Sequence, residues 1–359
     1  MERKRTRIIA EAGVNHNGSI DLAIEMVDVA AEAGADFVKF QIINAEALAS
    51  VNAPKAEYQI RNDLIKESQY DMLKRLELKA SEFHLLSNYC QKKGVAFLAS
   101  PFDTNSVDFL IRDLNLNIIK IPSGEITHGL LLLCAARSGA YVILSTGMST
   151  LAEIEQALSV LAFGYLHANQ FPSKKSFQEA YCSMAGYEIV KNKVTLLQCT
   201  TSYPTNYRDV NLLAMDTMHN AFGLDVGLSD HTLGIAVPIA AVARGATIIE
   251  KHFTLARSME GPDHAASLEP HELKAMITTI RQVEESLGTP RKVVYSSEMG
   301  NRNIARKSLM TVKKIQKNSR FTENNIIAKR PDNGRSPMDY WNILHTRANR
   351  NYEKEEVLE

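Results

Sequence analysis

The chain has 359 residues, of which 45% are hydrophobic and 23% charged, as in a soluble globular protein with one large domain and a small one. Its 41 lysines and arginines balance 41 aspartates and glutamates, so no net charge attracts nucleic acid or an anionic membrane. The four cysteines lack metal-binding spacing, and the longest apolar stretch, residues 129–136, is too short to span a bilayer. We therefore predict a cytoplasmic protein that binds neither nucleic acid nor membranes.

Short β-branched runs alternate with longer helical patterns as far as about residue 285. Eight such runs are predicted to be strands, at residues 7–13, 36–41, 95–101, 118–125, 141–146, 194–200, 225–230 and 247–253. Most of their residues are apolar rather than alternating with polar ones, which indicates a parallel sheet covered by helices. Eight strand-then-helix units in this length predict a (β/α)8 TIM barrel.

Three parts of the chain depart from this repeat. A long excursion at 44–80 could be a substrate loop, and a polar insertion at 163–192 suggests no function. The C-terminal part has short β runs, turns and a loop with glycine and proline, which predict a small β-rich domain. The predicted domains are therefore the barrel at 1–285, a linker at 286–298 and the small domain at 299–359.

Nearly every predicted strand ends in polar or charged residues. The C-terminal rim of a barrel carries its active site, whereas an open doubly wound sheet would concentrate such residues near one switch point. The polar residues at or near the strand ends are Glu11, Lys39, Gln41, Ser100, Lys120, Ser123, Glu125, Ser145, Thr200, Thr201, Ser229, Asp230, His231, Glu250 and His252. Their spread over all eight strands favours the barrel and predicts an active site at its rim.

Two histidines end consecutive predicted strands. His231 and His252 are 21 residues apart, which is one strand–helix repeat, and neutral imidazole suits a divalent transition metal. Glu250 shares a strand face with His252 and should point into the same barrel mouth. Two histidines are too few for a closed structural zinc site, so a metal would keep positions open for water and substrate. The alternative is a pair of hydrogen-bonded surface histidines.

Two lysines lie within apolar runs. Lys39 and Lys120 would be costly to bury without negative partners, and their convergence on one barrel mouth suggests a phosphate or carboxylate ligand beside Ser123. The alternative is that each lysine pairs with a barrel carboxylate such as Glu11 or Glu125. Both interpretations remain open at this point.

Further carboxylates complete the predicted rim. Glu125 stands where a general acid/base or a water-positioning group is expected, although a salt bridge to Lys39 or Lys120 would explain it equally well. Asp263 lies in the loop after the eighth strand. His264 beside it is expected to face solvent.

Ten sequence strings, in matching order, resemble the bacterial sialic acid synthases. They include 8-IIAEAGVNHNGS-19, 38-VKFQ-41, 53-APKAEYQ-59, 120-KIPSGE-125, 228-LSDHT-232, 250-EKHFT-254 and 329-KRPDNG-334, and the resemblance covers essentially the whole chain. It implies a (β/α)8 barrel followed by an antifreeze-like (SAF) domain. It also implies a transferase that condenses phosphoenolpyruvate with N-acetylmannosamine, releasing phosphate and forming N-acetylneuraminate, a nine-carbon 2-keto acid.

Other functions compete with this one. A legionaminate synthase, within the same family, would use 2,4-diacetamido-2,4,6-trideoxymannose instead. A non-catalytic sugar-binding scaffold would not need the paired histidines, the two lysines or Glu125. A generic class II aldolase would need neither the two lysines nor Arg330.

The resemblance implies a role for each matching residue. The metal ligands would be His231 and His252, with manganese expected and magnesium or cobalt as alternatives. The phosphoenolpyruvate-binding residues would be Lys39, Ser100, Lys120, Ser123 and Ser229. The catalytic residues would be Glu125, Gln41 and Glu11, the first two positioning water or relaying protons. The sugar-binding residues would be Glu11, Tyr203, Asp263 and Arg330.

Arg330 carries the implied quaternary structure. It matches an arginine that reaches into a partner's barrel to contact the N-acyl group, which requires a domain-swapped homodimer. The chain also departs from the family pattern. Ser100 replaces a threonine, Thr200 and Thr201 stand near the position of an asparagine that contacts phosphate in some members, and Asp332 replaces a glycine.

Overall fold

The computed structural model describes residues 5–62 and 65–359. The chain divides into two compact units, Met1–Gly288 and Thr289–Glu359. Within the described ranges, no helix combines the length and apolar character needed to cross a bilayer.

The first unit contains an eight-stranded parallel sheet. Its strands are β1 (Arg7–Gly13), β2 (Phe37–Ile42), β3 (Ala96–Pro101), β4 (Ile118–Ile121), β5 (Tyr141–Ser145), β6 (Val194–Cys199), β7 (Asp225–Asp230) and β8 (Ile248–His252). The strand order is β3-β2-β1-β8-β7-β6-β5-β4, and β3 lies beside β4. The sheet is therefore a nearly closed barrel, which confirms the predicted (β/α)8 fold.

The strand bounds agree with the predicted runs except at β4. The prediction extended to residue 125, but β4 ends at Ile121 and a 3-10 turn follows at Ser123–Glu125. Pro122 lies between them, and proline has no N–H to continue a sheet. The polar end of this predicted run is thus a turn rather than a strand.

Helices surround the barrel and fill the loops. They are α1 (Ile20–Ala33), α2 (Ala45–Leu48), α3 (Glu57–Asn62), α4 (Gln69–Leu76), α5 (Ala80–Lys93), α6 (Thr104–Asp108), α7 (Gly129–Arg137), α8 (Leu151–Leu166), α9 (Lys174–Cys182), α10 (Met184–Lys193), α11 (Leu213–Phe222), α12 (Ala236–Ala243) and α13 (Pro270–Leu287). Helix α1 shows why they form: the Ser19 hydroxyl accepts the N–H of Leu22 at its start, and Gly34 ends it with φ 85°.

The barrel interior has an apolar layer beneath a polar one. The apolar layer consists of Ile9, Leu98, Ile143, Leu197 and Ile248, which form one buried cluster. Side chains two residues apart share a strand face, so the residues two positions further along several strands stand above this layer at the rim. The polar rim therefore rests on a packed apolar floor.

Two of the three parts that depart from the repeat, residues 44–80 and 163–192, contain helices. The excursion at 44–80 contains α2, α3 and α4, and Met72, Leu73 and Leu76 pack there with Val14. The insertion at 163–192 begins in the last turn of α8 and continues as α9 and α10, which pack against α8.

The second unit has a small core of its own. It contains α14 (Ser296–Ala305), α15 (Tyr340–Ile343) and two antiparallel strands, β9 (Ser308–Thr311) and β10 (Ile326–Lys329). The residues of this hydrophobic core are Leu309, Ile315, Phe321, Ile326, Ile343, Ala348, Tyr352 and Leu358.

Candidate active site

Four buried charges from four different elements meet at the barrel rim. We call Glu11, Lys39, Lys120 and Glu250 the charged ring. The Lys39 Nζ lies 2.6 Å from Glu11 Oε2 and 3.8 Å from Glu250 Oε2. The Lys120 Nζ lies 3.5 Å from Glu250 Oε1. The lysines therefore do pair with barrel carboxylates, and Glu250 is the second carboxylate rather than Glu125.

The charged ring shifts the pKa values of its members. Burial lowers the pKa of Lys120. Burial opposes the charge of Lys39 as well, but the two nearby carboxylates outweigh it and raise the pKa of Lys39. The two ammonium groups likewise outweigh burial and lower the pKa of Glu250, whereas burial raises the pKa of Glu11. The ring is thus a cluster of two lysines and two carboxylates that compensate one another.

Three polar side chains bind to this ring. The Lys39 ammonium donates to Ser100 Oγ at 3.1 Å. The Ser229 hydroxyl donates to Glu250 Oε1 at 2.9 Å. The Gln41 side chain donates through Nε2 to Glu11 Oε1 at 3.3 Å. These three predicted site residues are therefore gathered around one cluster.

The other predicted serine lies toward β5. Ser123 Oγ accepts the N–H of Gly147 at 3.0 Å. A Cβ at Gly147 would lie 2.4 Å from Thr201 Oγ1 and 2.8 Å from Ser123 Oγ, so only glycine allows these hydroxyls to approach. Ser145, at the end of β5, is buried, and its hydroxyl has no hydrogen-bond partner within the described ranges. The sequence predicts Ser145 at the rim and indicates no role for it.

The two histidines face each other with ring centroids 5.5 Å apart. His231 Nδ1 lies 2.8 Å from the carbonyl oxygen of Thr200. A carbonyl can only accept, so Nδ1 carries a proton, which leaves Nε2 as the nitrogen that could bind a metal. Burial opposes the charge of His231, but the nearby Cys199 outweighs it and raises the pKa of His231. His252 Nδ1 is buried and has no hydrogen-bond partner among the described residues; Asp263 Oδ2 lies 3.9 Å away. Burial lowers the pKa of His252 well below its usual range, so this imidazole is neutral.

This donor set fits an open metal site better than a closed one. Neutral imidazole is a suitable ligand for a divalent transition metal; His252 is neutral, and metal binding would require His231 to be neutral as well. The described residues contain no group of three or more histidine, cysteine, aspartate or glutamate side chains arranged to hold a metal. A metal bound here would thus take its other ligands from water or substrate, as in a catalytic site.

An aromatic wall closes one side of the histidine pair. The ring centroid of Tyr203 lies 4.1 Å from that of His231 and 5.7 Å from that of His252, which it meets edge-on. Tyr58, from α3 in the excursion, stacks on Tyr203 at 4.8 Å. Burial raises the pKa of Asp263, beside this wall, to about 6. The sequence indicates no role for Tyr58, although it suggests that its segment, residues 44–80, is a substrate loop.

Glu125 has a partner that we had not predicted. Its Oε2 lies 2.7 Å from His128 Nδ1, one turn further along the chain, and no ion pair joins Glu125 to Lys39 or Lys120 among the described residues. The His128 side chain is 39% exposed and that of Glu125 14%. The carboxylate is therefore connected to solvent through a histidine.

The family assignment follows from the sequence. A family model described as the NeuB family matches residues 26–292. The chain belongs to the NeuB family. It is 46% identical over 355 residues to the N,N'-diacetyllegionaminic acid synthase of Campylobacter jejuni, covering 99% of both chains. The protein of the same name from Legionella pneumophila is 41% identical over 344 residues, which cover 96% of this chain and 90% of that one.

A solved structure extends the likeness to the fold. The N-acetylneuraminic acid (sialic acid) synthetase of Leptospira borgpetersenii, crystallised with citrate, superposes with a TM-score of 0.66 at 34% identity. The match covers 83% of this chain and 90% of that chain. The resemblance to the sialic acid and legionaminic acid synthases is thereby confirmed.

Arg330 and His264 each have a hydrogen-bonding environment of their own in this NeuB family member. Arg330 belongs to the second unit, is exposed, and donates through Nε to the carbonyl oxygen of Ala305 at 2.9 Å. His264 is fully buried, so the expectation that it faces solvent was wrong. Its Nδ1 lies 2.6 Å from the Thr254 hydroxyl and its Nε2 3.2 Å from Asn17 Oδ1, because the loop after β8 folds onto the turn after β1.

Proposed function

We propose that this chain is a synthase that condenses phosphoenolpyruvate with the open-chain form of an N-acylated mannosamine-type sugar. The observation that carries this proposal is the juxtaposition of two buried lysines with two histidines at one barrel rim. Lysine ammonium groups bind phosphate and carboxylate. An anionic co-substrate and a sugar aldehyde could therefore be held side by side.

The anionic substrate would occupy the lysine side of the rim. Lys39 and Lys120 would bind its phosphate and carboxylate, with further hydrogen bonds from the hydroxyls of Ser100, Ser123 and Ser229. The serines already lie against the charged ring or the β5 loop. Binding would exchange intramolecular partners for ligand oxygens, so the buried cations would stay compensated.

A divalent cation, manganese for preference and magnesium or cobalt as alternatives, would be held by His231 and His252. When bound, it would supply Lewis-acid polarisation of the sugar aldehyde. The neutral state of His252 and the proton on Nδ1 of His231 suit that role. The rings of Tyr203 and Tyr58 would shield the histidine side of the rim from bulk solvent.

The proposed chemistry forms one carbon–carbon bond and breaks one carbon–oxygen bond. C3 of phosphoenolpyruvate attacks the aldehyde carbon, whose oxygen takes up a proton. Water adds at C2 and loses a proton, with Glu125 and Gln41 positioning the water or relaying protons. The C2 hydroxyl then loses its proton as the bond between C2 and the phosphate oxygen breaks, and the departing phosphate can take up that proton. This step releases inorganic phosphate and leaves a nine-carbon 2-keto acid.

The sugar would lie on the side of Glu11, Asp263 and Tyr203. Asp263 has a pKa of about 6, so near neutral pH its carboxylate can accept a hydrogen bond from a sugar hydroxyl. Its protonated form can donate one to a sugar hydroxyl. Arg330 of the partner subunit would contact the N-acyl group. That contact requires residues 289–359 to act as an antifreeze-like module in a domain-swapped homodimer.

We propose 2,4-diacetamido-2,4,6-trideoxymannose as the preferred sugar, with N-acetylmannosamine as the second candidate. The two legionaminic acid synthases, at 46% and 41% identity over nearly the full chain, support this order. The resemblance seen in the sequence had pointed first to N-acetylmannosamine. The two sugars differ at C4 and C6, so discrimination must come from contacts to those positions.

Phosphate release from phosphoenolpyruvate tests the proposal. The protein is stripped of metal with a chelator and assayed with each sugar, with and without added manganese. We expect manganese-dependent release, with a larger kcat/KM for the diacetamido sugar. A larger kcat/KM for N-acetylmannosamine would reverse the order of the substrates. No release with any N-acylated hexose would leave the non-catalytic scaffold as the better interpretation.

A variant of one histidine provides the matched control for that assay. H252A should abolish turnover and leave the melting temperature of the metal-free protein nearly unchanged, because a rim side chain contributes little to the core. Loss of the cooperative thermal transition would show instead that His252 has a structural role.

A further inference from the structure

The two strands that carry the histidines diverge at the histidines themselves. β7 and β8 pair in parallel register as far as Asp230 and Lys251. Beyond that point the carbonyl of His231 accepts an N–H from the loop after β6 at 2.8 Å, whereas the carbonyl of His252 accepts one from the loop after β8 at 2.9 Å. Each histidine thus follows the last residue of β7 or β8 that pairs with the other strand. Beyond this pair, the two segments bond to different loops.

An ion pair joins these last paired residues. The Lys251 side chain is fully buried, and its Nζ lies 2.5 Å from Asp230 Oδ2. The same ammonium donates to the carbonyl oxygen of Thr232. Asp230 and Thr232 are the two chain neighbours of His231, and Lys251 immediately precedes His252. The Lys251 ammonium therefore bonds to both chain neighbours of His231, and Lys251 itself is the chain neighbour of His252.

The carboxylate also holds the turn that follows β7. Asp230 Oδ1 accepts the N–H of Thr232 at 3.1 Å, and Oδ2 accepts the Thr232 hydroxyl at 2.9 Å. Alternation along a strand puts Asp230 on the face opposite to His231, and Lys251 on the face opposite to His252. The pair therefore lies behind the histidines, away from the barrel mouth, where it cannot touch substrate.

The two imidazoles depend on this support to different degrees. His231 has a hydrogen bond from its own ring to the carbonyl of Thr200, which fixes its orientation. His252 Nδ1 has no such bond among the described residues. Apart from its contacts with the rings of Tyr203 and His231, the position of this ring is set by its backbone. The preceding residue, Lys251, is held in place by its ion pair with Asp230.

We propose that Asp230 and Lys251 are positioning residues, whose buried ion pair sets the separation of His231 and His252 for metal binding. This inference rests on the metal role given to the histidines in the proposed function. Groups that orient metal ligands affect affinity strongly, and their loss typically weakens binding roughly 10- to 100-fold. Removing the pair should therefore weaken metal binding without removing a ligand.

Metal binding by the full chain tests the proposal. The protein is freed of metal with a chelator, then titrated with Mn²⁺ by calorimetry and with Co²⁺ by visible absorption, whose bands report ligand geometry. The variants are D230N, K251M and the double variant D230N/K251M. The single variants leave an uncompensated buried charge and could fail to fold. The double variant removes both charges and keeps the test decisive.

The matched control is R281M/D36N. Arg281 and Asp36 form a partly buried ion pair at 3.1 Å at the opposite end of the barrel, where Asp36 immediately precedes β2. This control removes a comparable pair between two elements without touching either histidine strand. It reports how much metal affinity falls when the barrel simply loses an ion pair.

The expected result is that D230N/K251M binds Mn²⁺ roughly 10- to 100-fold more weakly than the wild type and shows a changed Co²⁺ spectrum, whereas R281M/D36N keeps both. Wild-type affinity and spectrum in the double variant, or an equal loss in the control, would overturn the inference and leave the proposed function intact. If the wild type and H252A bound Mn²⁺ equally, the metal role of the histidines would fail, and this inference with it.

Discussion

The charged ring shows how this barrel tolerates buried lysines. A buried ion whose partner is removed costs about 3–5 kcal/mol, and each ring lysine has a carboxylate within 4 Å. The spacing of the residues along the strands predicted that Lys39 and Lys120 converge, and the structure agrees. The sequence did not identify which carboxylate pairs with which lysine, because the pairing depends on the register between strands that are distant in sequence.

The burial of His16 makes the free energy of unfolding depend on pH. This histidine is buried in the turn after β1, and burial, helped by the nearby His264, lowers the pKa of His16 to about 4 from 6.5. Below pH 6.5 the unfolded chain takes up a proton that the folded chain refuses, so stability falls as the pH falls toward 4. From about pH 7.5 to about pH 5, this histidine should cost about 2 kcal/mol of unfolding free energy.

Urea unfolding of wild type and H16N at both pH values measures that share. Asparagine could accept the Gly18 N–H that His16 Nδ1 accepts at 3.1 Å, so the variant should fold. The drop in unfolding free energy between the two pH values should be smaller by about 2 kcal/mol in H16N. An equal drop in both proteins would show that other groups carry the acid sensitivity.

His128 is expected to serve Glu125. The 2.7 Å contact between His128 Nδ1 and Glu125 Oε2 and the partial exposure of the imidazole suit proton exchange with solvent. If Glu125 handles protons as proposed, H128A should lower kcat roughly tenfold and leave both KM values nearly unchanged. Steady-state kinetics measures this, and added imidazole should restore part of kcat.

The control for this variant is H219A. His219 Nδ1 also makes one hydrogen bond, to the carbonyl of Leu224 at 2.8 Å, but this bond lies just before β7 begins, at the opposite end of the barrel. It should leave kcat unchanged. An unchanged kcat in H128A, or a loss that imidazole does not relieve, would limit His128 to shaping the turn after β4.

At the scale of elements, the strands were predictable and their connections were not. Continuous apolar runs located all eight barrel strands, because a parallel sheet buries both faces of each strand and therefore requires apolar residues at nearly every position. The excursion at 44–80 and the buried His264 gave no such signal. Their placement depends on contacts between segments far apart in sequence, such as the 3.2 Å contact of His264 with Asn17.

Helix α3, in the excursion at 44–80, contributes a contact to the site that the sequence did not predict. Its Tyr58 stacks on Tyr203, which in turn lies against His231. An aromatic pair contributes about 0.5–1.5 kcal/mol beyond burial, so Y58A should loosen Tyr203 and raise KM for the sugar roughly 2- to 10-fold. KM for phosphoenolpyruvate should change little, because that substrate would lie on the lysine side.

Y58F is the matched variant, since it keeps the ring and loses only the hydroxyl. Kinetics with each substrate varied in turn should give a KM near that of the wild type for Y58F and a raised KM for Y58A. Equal increases of both KM values in Y58A would indicate that α3 supports the whole rim instead of the sugar side alone.

At the scale of the whole molecule, charge is divided between the two units. The full chain is neutral, yet residues 289–359 carry more lysine and arginine than aspartate and glutamate, and residues 1–288 carry the opposite excess. Opposite charges favour association and fix its orientation. This division supports the proposal that the second unit of one copy docks on the barrel of another.

Subunit complementation tests where Arg330 acts. R330A should raise KM for the sugar much more than KM for phosphoenolpyruvate, and H252A should have no turnover. If Arg330 of the partner subunit serves each barrel, a mixed dimer of R330A and H252A contains one barrel with both histidines and an intact arginine. Mixing the two variants under subunit exchange should therefore create a population with the wild-type KM for the sugar. If Arg330 acted within its own chain, no mixture would contain a complete site, and the high KM would persist at every ratio.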